Sequence, residues 1–274
     1  MPPVRKPILL ALTALALLAG AWAFAQSTNA RTTDPPATTA PADTSSLGTA
    51  SIPILLYHHI AAGPKHGSDA PLYVPPALFK KQIASLATAG YHAVTLDEVF
   101  QATQTGTVLP GKAIVVSFDD GYGSQYRSAL PTLKARGWPA VLNLIVHNPF
   151  PDKISTTQVK SMLAAGWELD AHTLTHPDLT KVSPTKLVAE VADSRTALMA
   201  QYGEPVNFLA YPYGHVNAAV VQAVQDAGFA GATTTTAGAM SAGSDPYHLP
   251  RVIVSPKTTG PALVAKLAKL KRGR

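Results

Sequence analysis

No cysteine occurs among the 274 residues, so there is no disulfide framework and no thiolate ligand or nucleophile. Any metal must be held by His, Asp or Glu. Charge is also scarce, with 14% of residues charged against 46% hydrophobic. These proportions exclude global disorder, a collagen-like repeat and a coiled coil, and the length suits a domain with a full core. The formal charge is +6, but its excess sits at the ends. Arg5 and Lys6 lie at the start, and Lys266, Lys269, Lys271, Arg272 and Arg274 lie in the last nine residues. Without these the body is nearly neutral. It offers no broad basic surface, so nucleic acid is not an expected partner and a neutral substrate is favoured.

Long uncharged apolar runs are missing except for one, Ile8 to Ala23. It follows the positive Arg5 and Lys6 and precedes Ala23-Phe24-Ala25, small residues at the positions a signal peptidase needs. Residues 1–25 therefore read as an export signal. The run is slightly short of the ~20 residues that span a bilayer, and an uncleaved anchor is the alternative. Either way the domain is expected outside the cytoplasm, in the periplasm or beyond the cell. Residues 26–50 are rich in Ser, Thr, Pro and Ala and read as a disordered linker. The folded unit is placed at 51–260. Residues 261–274 form a basic tail with Leu263, Val264, Leu267 and Leu270 at helical spacing, its cations facing solvent or the negatively charged cell envelope.

Within the folded unit, short β-rich runs alternate with helical patterns. Ile52 to Tyr57, His92 to Leu96, Ala113 to Phe118, Ala140 to Val146, Trp167 to Ala171, Asn207 to Ala210, Gly231 to Thr235 and Val252 to Val254 read as strands. Helices are expected between them, one starting at Ser183-Pro184 and running to about Tyr202. Repeated strand–helix units with doubly buried strands mean a parallel sheet, and about seven such units favour an α/β barrel over an open sheet. Chemistry in that architecture sits where strands end. The polar residues just after strands are His58 and His59, Asp119 and Asp120, His172 and His176, and Tyr211 and Tyr213.

Asp119 and Asp120 would repel unless a cation or a shared proton relieves them. The plain alternative is an Asp-Gly turn. His172 and His176 are spaced so that both imidazoles can reach one ion, although stray histidine pairs are common. One carboxylate with two imidazoles is a standard zinc set that leaves a position open for water. Together the three favour a metal site.

Ser117-Phe118-Asp119-Asp120-Gly121 and His172-Thr173-Leu174-Thr175-His176 resemble the first two motifs of the NodB-type polysaccharide deacetylases, carbohydrate esterase family four. The resemblance covers roughly residues 51 to 255. Leu56-Tyr57-His58-His59 and Ala210-Tyr211-Pro212-Tyr213-Gly214 look closest to the branch that acts on poly-N-acetylglucosamine. It implies a distorted (β/α)7 barrel, a divalent metal such as zinc, and an acetylated polysaccharide as substrate. By motif, Asp119 would be the base and Asp120, His172 and His176 the metal ligands, with water on the metal as nucleophile. A backbone N–H near Tyr213 would share the oxyanion's charge, and His58 would be the acid.

The chain departs from the commoner family pattern in two places. The arginine that holds the base is replaced near Ala210 or Tyr211, and His248 precedes Leu249-Pro250-Arg251 instead of following a leucine run. Arg251 offers a substitute beside Asp119, though a surface salt bridge is the ordinary fate of such an arginine. His58 has a structural reading at a strand end, and His59 is expected to point away from it. Tyr211 and Tyr213 either meet the sugar or pack the rim. Asp170 reads as a support for the ligands or a helix cap, and Trp138 and Trp167 as core. Three functions stay open: an N-deacetylase on an N-acetylglucosamine polymer, an O-acetyl esterase on xylan or peptidoglycan, and an inactive polysaccharide-binding module.

Overall fold

The computed structural model describes residues 51–64, 66–241 and 243–272, with no side-chain account of the last two. The expected export signal and linker, residues 1–50, lie outside the described residues. Every described residue falls in one compact unit.

The alternation seen in the sequence is the alternation of the fold. In chain order the elements are β1 (Ile54–Tyr57), α1 (Pro76–Thr88), β2 (His92–Val94), α2 (Leu96–Thr105) and β3 (Ala113–Phe118). A π-helical turn (Gln125–Ala129) leads into α3 (Leu130–Lys134), followed by β4 (Val141–Leu144), α4 (Thr156–Leu163) and β5 (Glu168–Ala171). Next come α5 (Pro184–Val188), a second π-helical turn (Ala189–Asp193) and α6 (Ser194–Tyr202), which together make the long helix expected from Ser183. The chain ends with β6 (Phe208–Ala210), α7 (Ala218–Asp226), β7 (Gly231–Ala237), β8 (Leu249–Ile253) and α8 (Gly260–Arg272). Local chemistry fixes the starts. Thr95 with Glu98, and Ser155 with Gln158, form reciprocal capping boxes on α2 and α4.

All strand pairings are parallel. The order β1-β8-β7-β6-β5-β4-β3 closes on itself because β3 also pairs with β1, from Ile54↔Val115 to Tyr57↔Phe118. The result is a seven-stranded barrel, the (β/α)7 architecture expected. β2 stays outside the ring and pairs with β3 alone, His92↔Ala113 to Val94↔Val115. β8 begins three residues earlier than the apolar pattern indicated, because Pro250 and Arg251 interrupt that pattern.

Alternation along each strand divides the core in two. Ile114, Val116 and Phe118 of β3 join the layer between strands and helices, while Val115 packs inside the ring with Ile54, Val141, Phe208 and Leu249. Further along the same inward faces the residues become polar: Ser117, Asn143, Asp170 and Arg251 are all buried. One end of the barrel is therefore oily and the other polar.

The 261–274 segment differs from the tail placed beyond the domain. Most of it forms α8, whose Leu263 and Leu267 are fully buried in the outer core. Gln82 of α1 donates to the Thr258 carbonyl at 2.6 Å, and Gly260 lies so close to α1 that a Cβ would collide with Ser85. Leu267→Ala is thus expected to cost about 2–5 kcal/mol, the range for a buried leucine. A urea titration showing no loss would mean the helix is not part of the cooperative unit.

Under the oily end, Glu168 is partly covered. Its Oε2 accepts the Asp97 N–H at 2.8 Å, and its carboxyl is hydrogen-bonded to the buried carboxyl of Asp170. Burial, reinforced by the Asp97 charge, pushes its carboxyl up to about 7. The folded chain then holds a proton that the unfolded chain has released. That contribution is complete below the ordinary glutamate pKa and is lost as pH rises through about 7. Glu168→Gln should flatten the decline of stability between about pH 5 and pH 8. Parallel wild-type and variant curves would assign the decline to another group.

Candidate metal and catalytic site

The polar end of the barrel gathers the residues that follow β1, β3 and β5. Asp119 continues β3, its N–H donating to the Tyr57 carbonyl at 3.0 Å. Asp120 then turns to φ +74, and Gly121 follows at φ +80, packed where a Cβ would strike Leu144. This reversal sends two consecutive aspartates to different tasks. Thr173, His176 and Tyr213 also have positive φ, at 68, 64 and 61. Non-glycine residues avoid that region, and such strain gathers at functional sites.

Both π-helical turns hold this rim. Gln125, in the first, donates from Nε2 to the carbonyls of Asp119 (2.7 Å) and His58 (3.0 Å), tying the ends of β3 and β1. Glu190, in the second, accepts from the Thr175 N–H (2.8 Å) and hydroxyl (2.5 Å), fixing the loop between the two histidines. Asn148 donates to the carbonyls of Asp120 and Gly121. Such turns widen a helix locally and recur at functional sites.

Asp120, His172 and His176 converge. His172 Nε2 lies 3.4 Å and His176 Nε2 3.5 Å from Asp120 Oδ1, and the two Nε2 atoms are 3.1 Å apart. Ligands at ~2.0–2.1 Å from a tetrahedral zinc are separated by about 3.3 Å, which matches. His172 Nδ1 donates to the Ala210 carbonyl at 2.7 Å, so its Nε2 carries a lone pair toward the centre. Asp120 Oδ1 is consequently buried without a donor. The three residues fit a divalent cation by distance, tautomer and charge.

Asp119 stands beside this group and apart from it. Arg251 Nη1 and Nη2 donate to its two oxygens, each at 2.8 Å, and Asn143 Nδ2 adds a third bond at 2.7 Å. Its Oδ2 is 4.0 Å from His172 Nε2. Burial opposes ionisation of Asp119, but the Arg251 guanidinium, aided by His172, overrides it and holds the carboxyl well below the usual range. Asp119 is therefore a fixed carboxylate. His58 lines the same cavity; burial lowers its pKa while Asp119 and Asp120 pull the other way.

The other residues singled out in the sequence take different places, some as expected and some not. Arg251 makes no surface salt bridge; it is fully buried inside the barrel, where β8 aims it under Asp119. Tyr211 is also fully buried and donates its hydroxyl to the Tyr247 carbonyl, a packing position. Tyr213 is the exposed one, with its ring 4.8 Å from that of His176. Asp170 caps no helix; it accepts the Phe208 N–H at 3.0 Å inside the barrel. His248 is remote, paired with Asp245 at the surface. His59 leaves the reacting centre, sandwiched between Tyr73 and Tyr122. Trp138 and Trp167 lie in the outer core.

A cavity of about 380 Å³ opens over the triad, bounded by Tyr122, Phe150, Tyr213 and Asp69 among others. A larger cavity of about 580 Å³, between α6 and the loop after β4, touches neither the triad nor Asp119. The site follows the chemistry and not the larger void. The sequence pattern does not mark Gln125, Glu190 and Tyr122 as site residues, and marks Asn143 only faintly. An asparagine inside the apolar run Val141 to Ile145 is the one legible signal among them.

Comparison with known proteins points to one family. The polysaccharide deacetylase family pattern matches residues 107–232. A Bacillus subtilis (strain 168) protein, YxkH, which carries the name of a polysaccharide deacetylase, is 30% identical over 81% of this chain and 78% of its own. The poly-beta-1,6-N-acetyl-D-glucosamine N-deacetylase of Staphylococcus aureus (strain MRSA252) is 27% identical over 66% of this chain and 68% of its own. The structure of the Streptococcus pyogenes deacetylase PplD in complex with acetate superposes with a TM-score of 0.73 at 29% identity, covering 79% of this chain and 98% of that one.

The geometry separates metal binding from the role of Asp119. His176→Ala should lose stoichiometric zinc, measured by calorimetry on the purified protein. Asp119→Asn, whose side chain is held by Arg251 and Asn143 outside the triad, should retain it. Equal loss in both would show that Asp119 is itself a ligand.

Proposed function

The chain belongs to the polysaccharide deacetylase family, and on that premise we propose that it removes N-acetyl groups from an exported N-acetylglucosamine polymer. The observation that carries this reading is an ionised aspartate, clamped by a buried arginine, beside a three-residue centre suited to zinc. The similarity to a poly-N-acetylglucosamine deacetylase supports the polymer. The apolar segment at residues 8–23 supports action outside the cytoplasm.

A divalent metal held by Asp120, His172 and His176 would supply Lewis acidity, polarising the acetyl carbonyl and making a water acidic. The rest falls to the chain's own residues. Asp119, its oxygens aimed by Arg251 and Asn143, accepts the proton of the attacking water. Being fixed, it loses little entropy in doing so. The Tyr213 N–H, on a backbone turned to φ +61, is the donor suited to the developing oxyanion. When the carbon–nitrogen bond breaks, His58 in its imidazolium form, which the Asp119 and Asp120 charges favour against burial, donates a proton to the leaving amine. Acetate and a free amine result, with water's oxygen in the acetate. Tyr213, exposed at the mouth, offers a ring face to the sugar.

Acetate release from β-1,6-linked N-acetylglucosamine oligomers, with and without chelator, tests the activity. Asp119→Asn should slow it by roughly 10²–10⁴. His58→Ala should impair amide hydrolysis far more than hydrolysis of an activated acetate ester, whose leaving group needs no proton. Release from acetylated xylan but not from the amide oligomers would replace this reading with an esterase.

A further inference from the structure

Outside the reacting centre the cavity wall is nearly uncharged, formed by residues such as Leu56, Leu72, Tyr122, Phe150, Tyr213 and Ile253. Asp69 is the exception. It lines the same cavity from the loop between β1 and α1, exposed at the mouth. Among the described residues its side chain takes one hydrogen bond, from the Ser68 hydroxyl at 3.0 Å. Among the described residues no Lys, Arg or His pairs with it. The other two carboxylates in the cavity have occupations: Asp119 is neutralised by Arg251, and Asp120 belongs to the metal triad.

The position of Asp69 is built. The loop folds back so that the His59 N–H donates to the Leu72 carbonyl at 3.1 Å and the Val74 N–H to the His59 carbonyl at 2.9 Å. The Tyr73 ring lies 3.9 Å above His59, parallel to it, and Tyr122 stacks on His59 at 3.4 Å. Gly63 sits against Tyr73 with no room for a Cβ. The Leu72 N–H donates to the Asp69 carbonyl at 2.9 Å, which ties Asp69 to this stack.

We propose that Asp69 is a specificity residue that binds the ammonium group of a glucosamine unit next to the one being deacetylated. The preferred substrate is then a partly deacetylated, cationic stretch of the polymer, and a sugar bearing a carboxylate is disfavoured. This rests on the deacetylase reading above. A carboxylate with no cationic partner among the described residues, in an otherwise neutral wall, selects a cation, because a charge-assisted hydrogen bond is roughly twice as strong as a neutral one. Deacetylation itself creates that cation: each turnover turns an acetamide into an amine that is protonated at neutral pH. A hydroxyl-bearing sugar gains only the weaker bond.

The test uses the full chain and two probes of equal length, β-1,6-linked penta-N-acetylglucosamine and the same pentamer with glucosamine in place of one unit. Binding is measured by calorimetry, and acetate release is followed in parallel. The wild type should bind the glucosamine-containing pentamer about threefold to fivefold more tightly, the scale of an exposed ion pair, with the advantage shrinking as salt is added. Asp69→Asn should bring the ratio to about one, and Asp69→Glu should keep most of it. A wild type indifferent to the amine, or an Asp69→Asn protein that keeps the preference, overturns the proposal. So does an equal loss on both pentamers, which would make Asp69 a binder of hydroxyls or a support of the loop. Amine-dependent binding lost in Asp69→Asn, with no acetate released from either probe, would sustain the Asp69 site and sink the deacetylase reading instead.

Discussion

The bond on which the site depends is the buried ion pair between Arg251 and Asp119. Taking a guanidinium and a carboxylate out of water costs several kcal/mol each, and their attraction offsets this only when every donor and acceptor is engaged. Here the pairing is bidentate; Arg251 Nε donates to the Thr234 carbonyl at 2.8 Å, and Asn143 takes a second lone pair of Asp119. The two residues are 132 apart in the chain and meet only because β1 pairs with both β3 and β8. Barrel closure makes the pair, and the pair fixes the carboxylate that the chemistry needs.

That constraint explains the polarity gradient inside the ring. An arginine cannot be held among Ile54, Val115 and Phe208, which can satisfy none of its donors. Ser117, Asn143 and the carbonyl of Thr234 supply the polar lining instead, at the end where the strands stop. Cations and carboxylates are thus confined to the rim, and the apolar end supplies the hydrophobic burial. The strained backbone of Asp120, Thr173, His176 and Tyr213 is tolerable on the same grounds, since Gln125, Asn148 and Glu190 over-determine the loops that carry it.

Adjacent residues made much of this legible in the sequence. Asp119-Asp120-Gly121 and the His172–His176 spacing each carry a local pattern, and the strand runs carry the barrel. Arg251 carries none: only the family resemblance offers a lone arginine after a proline as a partner for Asp119, and closure of the barrel decides that place over a surface salt bridge. Glu190 and Gln125 sit in stretches of ordinary helical pattern, where a π-turn leaves no mark on composition. Leu263 and Leu267 did show their helical spacing, yet a basic segment reads as solvated until α1 is seen to cover one face. β2 shows a related limit. Its residues are strand-like, but membership of the ring is decided by the β1–β3 pairing, which bypasses it.

Two neighbouring aspartates can divide labour only if their environments differ, and here the difference lies in charge. Asp119 meets a full positive charge from the chain itself, so its ionised form is stable without help from a bound ion. Asp120 meets two imidazoles, one of them committed by its Nδ1–H to the Ala210 carbonyl, and keeps one oxygen with no donor. A dipositive ion suits the second environment and would gain little in the first, where Arg251 already occupies both oxygens. Reversing the order of the two residues would therefore require moving Arg251. The strand that carries Arg251, and not the Asp-Asp sequence, decides which aspartate is clamped as a carboxylate outside the triad.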